Sequence, residues 1–225
     1  MPVNWMRVRV SPNDHEWIRE IAEVVRAGGV IVYPTDTVYG IGGDPFNVAT
    51  VRRVLEIKRR GERQMPVLVS GEDKARLVVE VDATALSLME TFWPGALTIV
   101  LKKRTEVPSE LTLGGGKLGV RMPNHELALR IIEACGGVLI GTSANISGNP
   151  PARSVEELDS RVEGSADVVV DGGEATLGVA STVVEVGPPE EDRPAKVIAP
   201  NVRVLREGAI GADVIRAKLL ERHGG

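Results

Sequence analysis

The run Val30-Ile-Val-Tyr33 sits between an amphipathic helical segment and a polar connection, and this helix-then-strand unit recurs down the first half of the chain. Asn13 or Asp14 can cap a helix that carries Trp17, Ile18, Ile21, Val24 and Val25 on one face, and Gly28-Gly29 ends it. The pattern predicts a polar connection from Pro34 to Asp44, a helix from about Ala49 to Lys58, and a strand over Pro66–Val69. Helices fit Asp73–Val79 and Thr84–Phe92, the second broken by Trp93-Pro94-Gly95. Strands fit Leu97–Leu101, Leu118–Arg121 and Val138–Thr142, with a helix over Glu126–Cys135. Strands then accumulate at Asp167–Val170, Thr182–Val186, Lys196–Ile198 and Val202–Leu205, before a closing helix at Asp213–Glu221. That order predicts an α/β fold on a mixed parallel and antiparallel sheet, not a purely doubly wound one.

Only 3% of the residues are aromatic, so the core must rest on Val, Ile, Leu and Ala. A chain of 225 residues is expected to form a single domain, burying roughly 70% of the surface it exposes unfolded. The one cysteine, Cys135, excludes an intramolecular disulfide and reads as a core residue in a reducing compartment. No charged-then-apolar leader and no apolar run of about 18 residues is visible, so a cytoplasmic protein without a membrane span is expected. Net charge is −4, from 27 basic and 31 acidic side chains, which argues against tight binding to nucleic-acid backbone. His15, His125 and His223 lie far apart, and no metal-ligand spacing is present.

Three strand ends carry hydroxyl or amide side chains: Pro34-Thr35-Asp36-Thr37, Thr142-Ser143-Ala144-Asn145 and Ser181-Thr182. Ligand crevices of α/β sheets lie beyond such ends, although Ser and Asn also favour ordinary turns. Lys58-Arg59-Arg60 follows a helical segment; it suits the helix dipole, and Lys58 and Arg60 could also clamp phosphoryl oxygens. Gly114-Gly115-Gly116-Lys117 fails the phosphate-loop pattern, since Leu111 and Leu118 stand where Gly and Ser or Thr are required, and it reads as a flexible surface loop. Neither a nucleophile–base pair nor paired carboxylates with metal spacing can be picked out. The inventory suits a reaction in which the enzyme positions reactants and neutralises charge, as in phosphoryl and nucleotidyl transfer.

Tyr33-Pro-Thr-Asp-Thr-Val-Tyr-Gly40, Lys58-x-Arg60, Trp93-Pro-Gly-Ala-Leu-Thr98, Gly119-Val-Arg-Met-Pro123, Thr142-Ser-Ala-Asn-Ile-Ser-Gly148, Ser181-Thr-Val-Val184 and Leu205-Arg-Glu-Gly-Ala-Ile210 follow one another in an order that resembles the YrdC-like threonylcarbamoyl-AMP synthases. The resemblance runs from about Gly29 to Ile210, within a domain core of about 14–210 and ahead of a C-terminal helix at 211–225. It implies a twisted, open mixed sheet with flanking helices and a concave, positively lined face. It also implies a reaction: L-threonine, bicarbonate and ATP give threonylcarbamoyl-AMP and pyrophosphate, on the way to N6-threonylcarbamoyladenosine in tRNA. By the same resemblance Lys58 and Arg60 are catalytic and hold the triphosphate, and Asn145, Ser154 and Arg206 contact the nucleotide. Thr35, Arg121, Ser143 and Ser181 contact threonine, with Arg121 on its carboxylate. Mg²⁺ is implied as a cofactor carried in by the phosphates, with no protein metal site. The implied partner is the threonylcarbamoyl-transferase of the tRNA pathway.

Gly61 stands where the family usually has Pro after its Lys-x-Arg motif, and the segment to Pro66 is one residue longer. Met65 replaces a His or Lys that faces threonine in some members. Longer members carry a second C-terminal domain, and the chain is expected to be the single-domain form. Two other readings compete on the same fold: an RNA-binding accessory protein with weak tRNA affinity, and a YciO-like paralogue of unknown substrate.

Overall fold

The computed structural model describes residues 6–59, 64–188 and 195–223. In chain order the strands are β1 (Met6–Arg9), β2 (Ile31–Tyr33), β3 (Gly40–Gly42), β4 (Val67–Val69), β5 (Leu97–Lys102), β6 (Lys117–Arg121), β7 (Val138–Ile140), β8 (Thr142–Ser143), β9 (Val168–Asp171), β10 (Thr182–Val186), β11 (Lys196–Ala199) and β12 (Val202–Arg206). The helices are α1 (His15–Arg26), α2 (Val48–Ile57), α3 (Glu72–Ala75), α4 (Ala83–Phe92), α5 (Ser109–Thr112), α6 (Glu126–Ala134), α7 (Ser160–Ser165) and α8 (Ala212–His223).

The mixed α/β architecture follows the expectation, but the strands divide between two sheets. One has the order β1-β9-β2-β3-β8, the other β11-β12-β10-β5-β6-β4-β7. Each mixes directions. In the first, β9 runs parallel to β1 and β2 while β3 is antiparallel to β2 and β8. In the second, β5 is parallel to β10 and antiparallel to β6, which in turn is parallel to β4.

Local chemistry sets the helix starts. The Asp14 carboxylate accepts from Trp17 N at 3.4 Å, Asn47 Oδ1 from Ala49 N at 3.0 Å, and Asp82 from Ala85 N at 2.7 Å, so each helix begins on a satisfied donor. The apolar stripe of α1 (Ile18, Ile21, Val25) and that of α6 (Leu127, Ile131, Ile132) close a smaller core with Ile31, Tyr33 and Val168. The larger core gathers Val51 and Val54 of α2 with Val67, Leu97, Ile99, Val120 and Val184 of the second sheet. Nearly all of it is aliphatic, as the scarcity of aromatics requires.

Departures from the pattern-based expectation have local causes. The connection expected over 34–44 contains β3, whose Gly-Ile-Gly sequence carries no apolar run and is held by pairing on both sides. The helix expected over 73–79 stops after one turn, because Val79 leaves to bridge Lys103 and Glu80 N donates to Lys102 O at 2.9 Å. The strand expected over 138–142 breaks at Gly141. Before it, Ile140 pairs with Val67 in the second sheet; after it, Thr142 pairs with Ile41 in the first. A Cβ on Gly141 would fall 2.2 Å from Leu68 Cγ, so only glycine lets the chain cross between the sheets here. That crossing brings strand tips of both sheets around one hollow.

Candidate active site

Between the sheets lies a cavity of about 820 Å³. Its floor is one face of the second sheet, since side chains two apart along a strand share a face. Lys117, Gly119 and Arg121 of β6, Thr98 and Val100 of β5, Val183 and Glu185 of β10, and Arg203 and Leu205 of β12 all contribute. The rim comes from Thr35 and Thr37 after β2, Lys58 after α2, and Ser143 and Asn145 at the end of β8.

Lys58 caps α2, yet its side chain is 1% exposed and turns into the cavity wall. Its Nζ donates to Ser143 O, to Asn145 O at 2.8 Å and to Asn145 Oδ1 at 3.2 Å, and its own carbonyl accepts from Ser147 N at 2.9 Å. Ser143 Oγ donates to Asn145 Oδ1 at 2.6 Å. The ammonium therefore holds the turn at Ser143 and Asn145, and the Lys58 carbonyl holds it at Ser147, a role beyond complementing the helix dipole.

Arg121 is 5% exposed. Its guanidinium donates from Nη2 to Asp36 Oδ1, from Nη1 to Thr37 Oγ1 at 2.7 Å and from Nε to Gly95 O at 2.8 Å. Burial pulls its pKa below the ordinary arginine value, and the adjacent Asp36 carboxylate opposes that shift. Thr35 Oγ1 donates to Val38 O at 2.6 Å, and Ser181 Oγ lies 2.8 Å from Thr98 Oγ1. Arg206, exposed at its position on β12, donates to Ser181 O at 2.8 Å. Farther along the floor, Glu185 accepts from Lys117 Nζ at 3.0 Å and from Arg203 Nε at 3.0 Å. Two cations on one carboxylate leave a net positive charge there.

Of the site residues read from the sequence, Thr35, Lys58, Arg121, Ser143, Asn145, Ser181 and Arg206 all line this one cavity. Ser154 opens a 3₁₀ turn at Val155–Glu157 and is not among the lining residues. Arg60 lies outside the described residues. Met65 is fully buried in the larger core, while its neighbours Gln64 and Pro66 reach the cavity. The glycines at 114–116 form a surface turn before β6, as expected, whereas Lys117 is buried in the cavity wall. Sequence reasoning placed Asp36 and Thr37 in a polar strand-end segment without individual roles, and gave no role to Thr98, Lys117, Glu185 or Arg203. For Lys117 a usable signal was present: the alternation Lys117-x-Gly-x-Arg121 in a strand whose other positions are apolar marks one sheet face as polar.

Among the described lining residues there is no His or Cys, and no group of three or more His, Cys, Asp or Glu gathers anywhere in the described chain. Among the described lining residues the one carboxylate, Glu185, is already engaged by two cations. The site can neutralise anions and orient small polar groups by hydroxyl and amide contacts. Among the described residues no helix is long and apolar enough to cross a membrane.

A threonylcarbamoyl-AMP synthase of Pyrococcus abyssi is 37% identical over 183 residues, which are 80% of this chain and 54% of that protein. The crystal structure of P. abyssi Sua5 complexed with L-threonine superposes with a TM-score of 0.74 at 34% identity, covering 81% of this chain and 53% of that one. This chain thus spans about half the length of each of these P. abyssi proteins. The structure of Escherichia coli YciO superposes with a TM-score of 0.76 at 27% identity over 94% of this chain and 97% of that one. The family model Sua5_yciO_yrdC, described as "Telomere recombination", matches residues 23–208, and with the fold shared as well the chain belongs to the Sua5/YciO/YrdC family.

Proposed function

We propose that this chain is a threonylcarbamoyl-AMP synthase, a nucleotidyl-transferring enzyme of the cytoplasm that acts on L-threonine, bicarbonate and ATP. The observation that carries the reading is convergence: Lys58, Arg121, Ser143, Asn145, Ser181 and Arg206, far apart in sequence, wall one cavity. The likeness to a Sua5 structure holding L-threonine supports an amino acid as one occupant.

The amino group of threonine takes up carbon dioxide from bicarbonate and becomes a carbamate. A carbamate oxygen then bonds to the α-phosphorus of ATP as the bond to the bridging oxygen breaks and pyrophosphate leaves. No proton abstraction from a poorly acidic group is required, which fits described lining residues that include neither His nor Cys. Arg121, Ser143 and Ser181 are assigned to threonine, with Thr35 supporting Arg121 through Thr37. Lys58, Arg60, Asn145 and Arg206 are assigned to the nucleotide, with Lys58 and Arg60 offsetting charge as pyrophosphate separates. One fixed cation at a transferring phosphoryl region is worth about 3 kcal/mol or more of barrier. Magnesium would supply further neutralisation of the phosphates. Because Glu185 is held by Lys117 and Arg203, the ion's oxygen ligands would come chiefly from ATP. The downstream partner would be the transferase that moves the threonylcarbamoyl group to tRNA adenosine, and any direct RNA contact is expected to be weak.

A second reading is a paralogous enzyme with another substrate, favoured by the nearly complete mutual coverage with YciO. Pyrophosphate release from ATP, with threonine and bicarbonate omitted in turn, separates the two. Release that needs all three supports the synthase; release indifferent to threonine, or none, rejects it.

A further inference from the structure

Hydrogen-bond donors at the amino-acid end of the cavity can be counted. Arg121 Nη1 occupies Thr37 Oγ1 at 2.7 Å, so the Thr37 proton turns to Thr35 Oγ1 at 3.0 Å. The Thr35 proton goes to Val38 O at 2.6 Å, and its oxygen also receives Thr37 N at 3.2 Å and Val38 N at 3.3 Å. The Thr35 hydroxyl is therefore spent within the protein and has nothing left to offer a ligand.

The Thr98–Ser181 pair differs. The two hydroxyl oxygens are 2.8 Å apart and share one of their two protons. Arg206 Nη2 adds only donors, to Ser181 Oγ at 3.3 Å and Ser181 O at 2.8 Å. The second hydroxyl proton has no acceptor in this network, and both side chains line the cavity. Arginine on the Ser181 oxygen makes that hydroxyl the better donor, by the polarisation that runs along hydrogen-bonded chains. Ser181 then donates to Thr98, and the Thr98 proton is the one left for the cavity. Thr98 is held in this pose. A Cβ on Gly119 would come within 3.2 Å of Thr98 Cγ2, so the methyl fills the space over the glycine while the hydroxyl faces Ser181. Across the ladder Ile99 pairs with Val120, which sets Thr98 beside Arg121.

We infer that Thr98 is a substrate-recognition residue: its hydroxyl donates to a carboxylate or carbamate oxygen of the amino-acid substrate, next to Arg121, while Thr35 acts by holding Thr37 and Arg121 in place. The inference rests on the synthase reading above.

Steady-state kinetics with each substrate varied, on wild type, Thr98→Val, Thr98→Ala and Thr98→Ser, alongside melting temperatures, tests it. Loss of a hydrogen bond to a charged group predicts a threonine KM raised about tenfold or more in both Thr98→Val and Thr98→Ala. The ATP KM should stay within about twofold, and Thr98→Ser should restore threonine use. The Ala variant removes the hydroxyl without crowding Ser181, so a misfolded Val variant does not protect the idea. Wild-type protein with threonine-dependent turnover and an unmoved threonine KM in the Ala variant overturns this inference alone. Equal rises in both KM values overturn it as well. Wild-type protein without threonine-dependent turnover overturns the synthase reading, and this inference falls with it.

Discussion

Asp36→Ala should destabilise the protein sharply, because it strands a charge in the interior. Asp36 and Arg121 are 3% and 5% exposed, so water screens neither, and removing one member of such a pair typically costs about 3–5 kcal/mol. Arg121 keeps Thr37 Oγ1 at 2.7 Å and Gly95 O at 2.8 Å, which places the loss near the lower end, at about 3 kcal/mol. With a urea slope of about 2 kcal/mol per molar, the unfolding midpoint should fall by about 1.5 M at unchanged slope. Asp36→Asn retains an acceptor and loses only the charge, so its shift should be about half as large. Replacing both partners, with Arg121→Met added to Asp36→Ala, should recover part of the loss, since no charge is then stranded. Urea titrations followed by circular dichroism read all three. A midpoint change under about 0.3 M for Asp36→Ala would refute the claim that this pair is a buried, mutually dependent unit.

Lys58→Ala should lower kcat/KM for ATP by about a hundredfold or more, measured as pyrophosphate release. It should also raise amide exchange over residues 143–147, where the ammonium holds the carbonyls of Ser143 and Asn145; wild-type exchange and turnover together would reduce Lys58 to a helix cap. Burial pushes the Cys135 thiol up to about 12, so at pH 8 almost none is thiolate. Iodoacetamide should label it slowly in the native protein and readily in urea, with labelling read by mass spectrometry; equal rates would contradict its half-buried place at the end of α6, packed against the smaller core.

How much of this was legible beforehand depended on the kind of signal. The apolar stripe of α1 and the β-branched runs of β2, β5 and β10 declare themselves through period and composition, and their placement needed no tertiary information. The short strand β3 could not be seen, because Gly40-Ile41-Gly42 has no propensity of its own and exists by pairing with Tyr33 and Ser143. Nor could the break at Gly141, which depends on Leu68 lying beneath it. Among site residues, those in polar strand-end clusters were readable as chemistry, and the family resemblance supplied their roles. Glu185 and Arg203 were not readable, because a charge inside an apolar strand declares its face only once the neighbouring strands are known. Thr98 sat inside a quoted motif, but its value lies in a proton count that needs Ser181 and Arg206 in space.

The most direct measurement is product identity. Wild-type protein incubated with ATP, L-threonine and isotope-labelled bicarbonate should form an AMP adduct that contains threonine and carries the label, one adduct for each pyrophosphate released. An adduct of AMP with threonine that lacks the labelled carbon, or pyrophosphate release with no adduct at all, would contradict a cavity built to join a carbamate to the α-phosphorus.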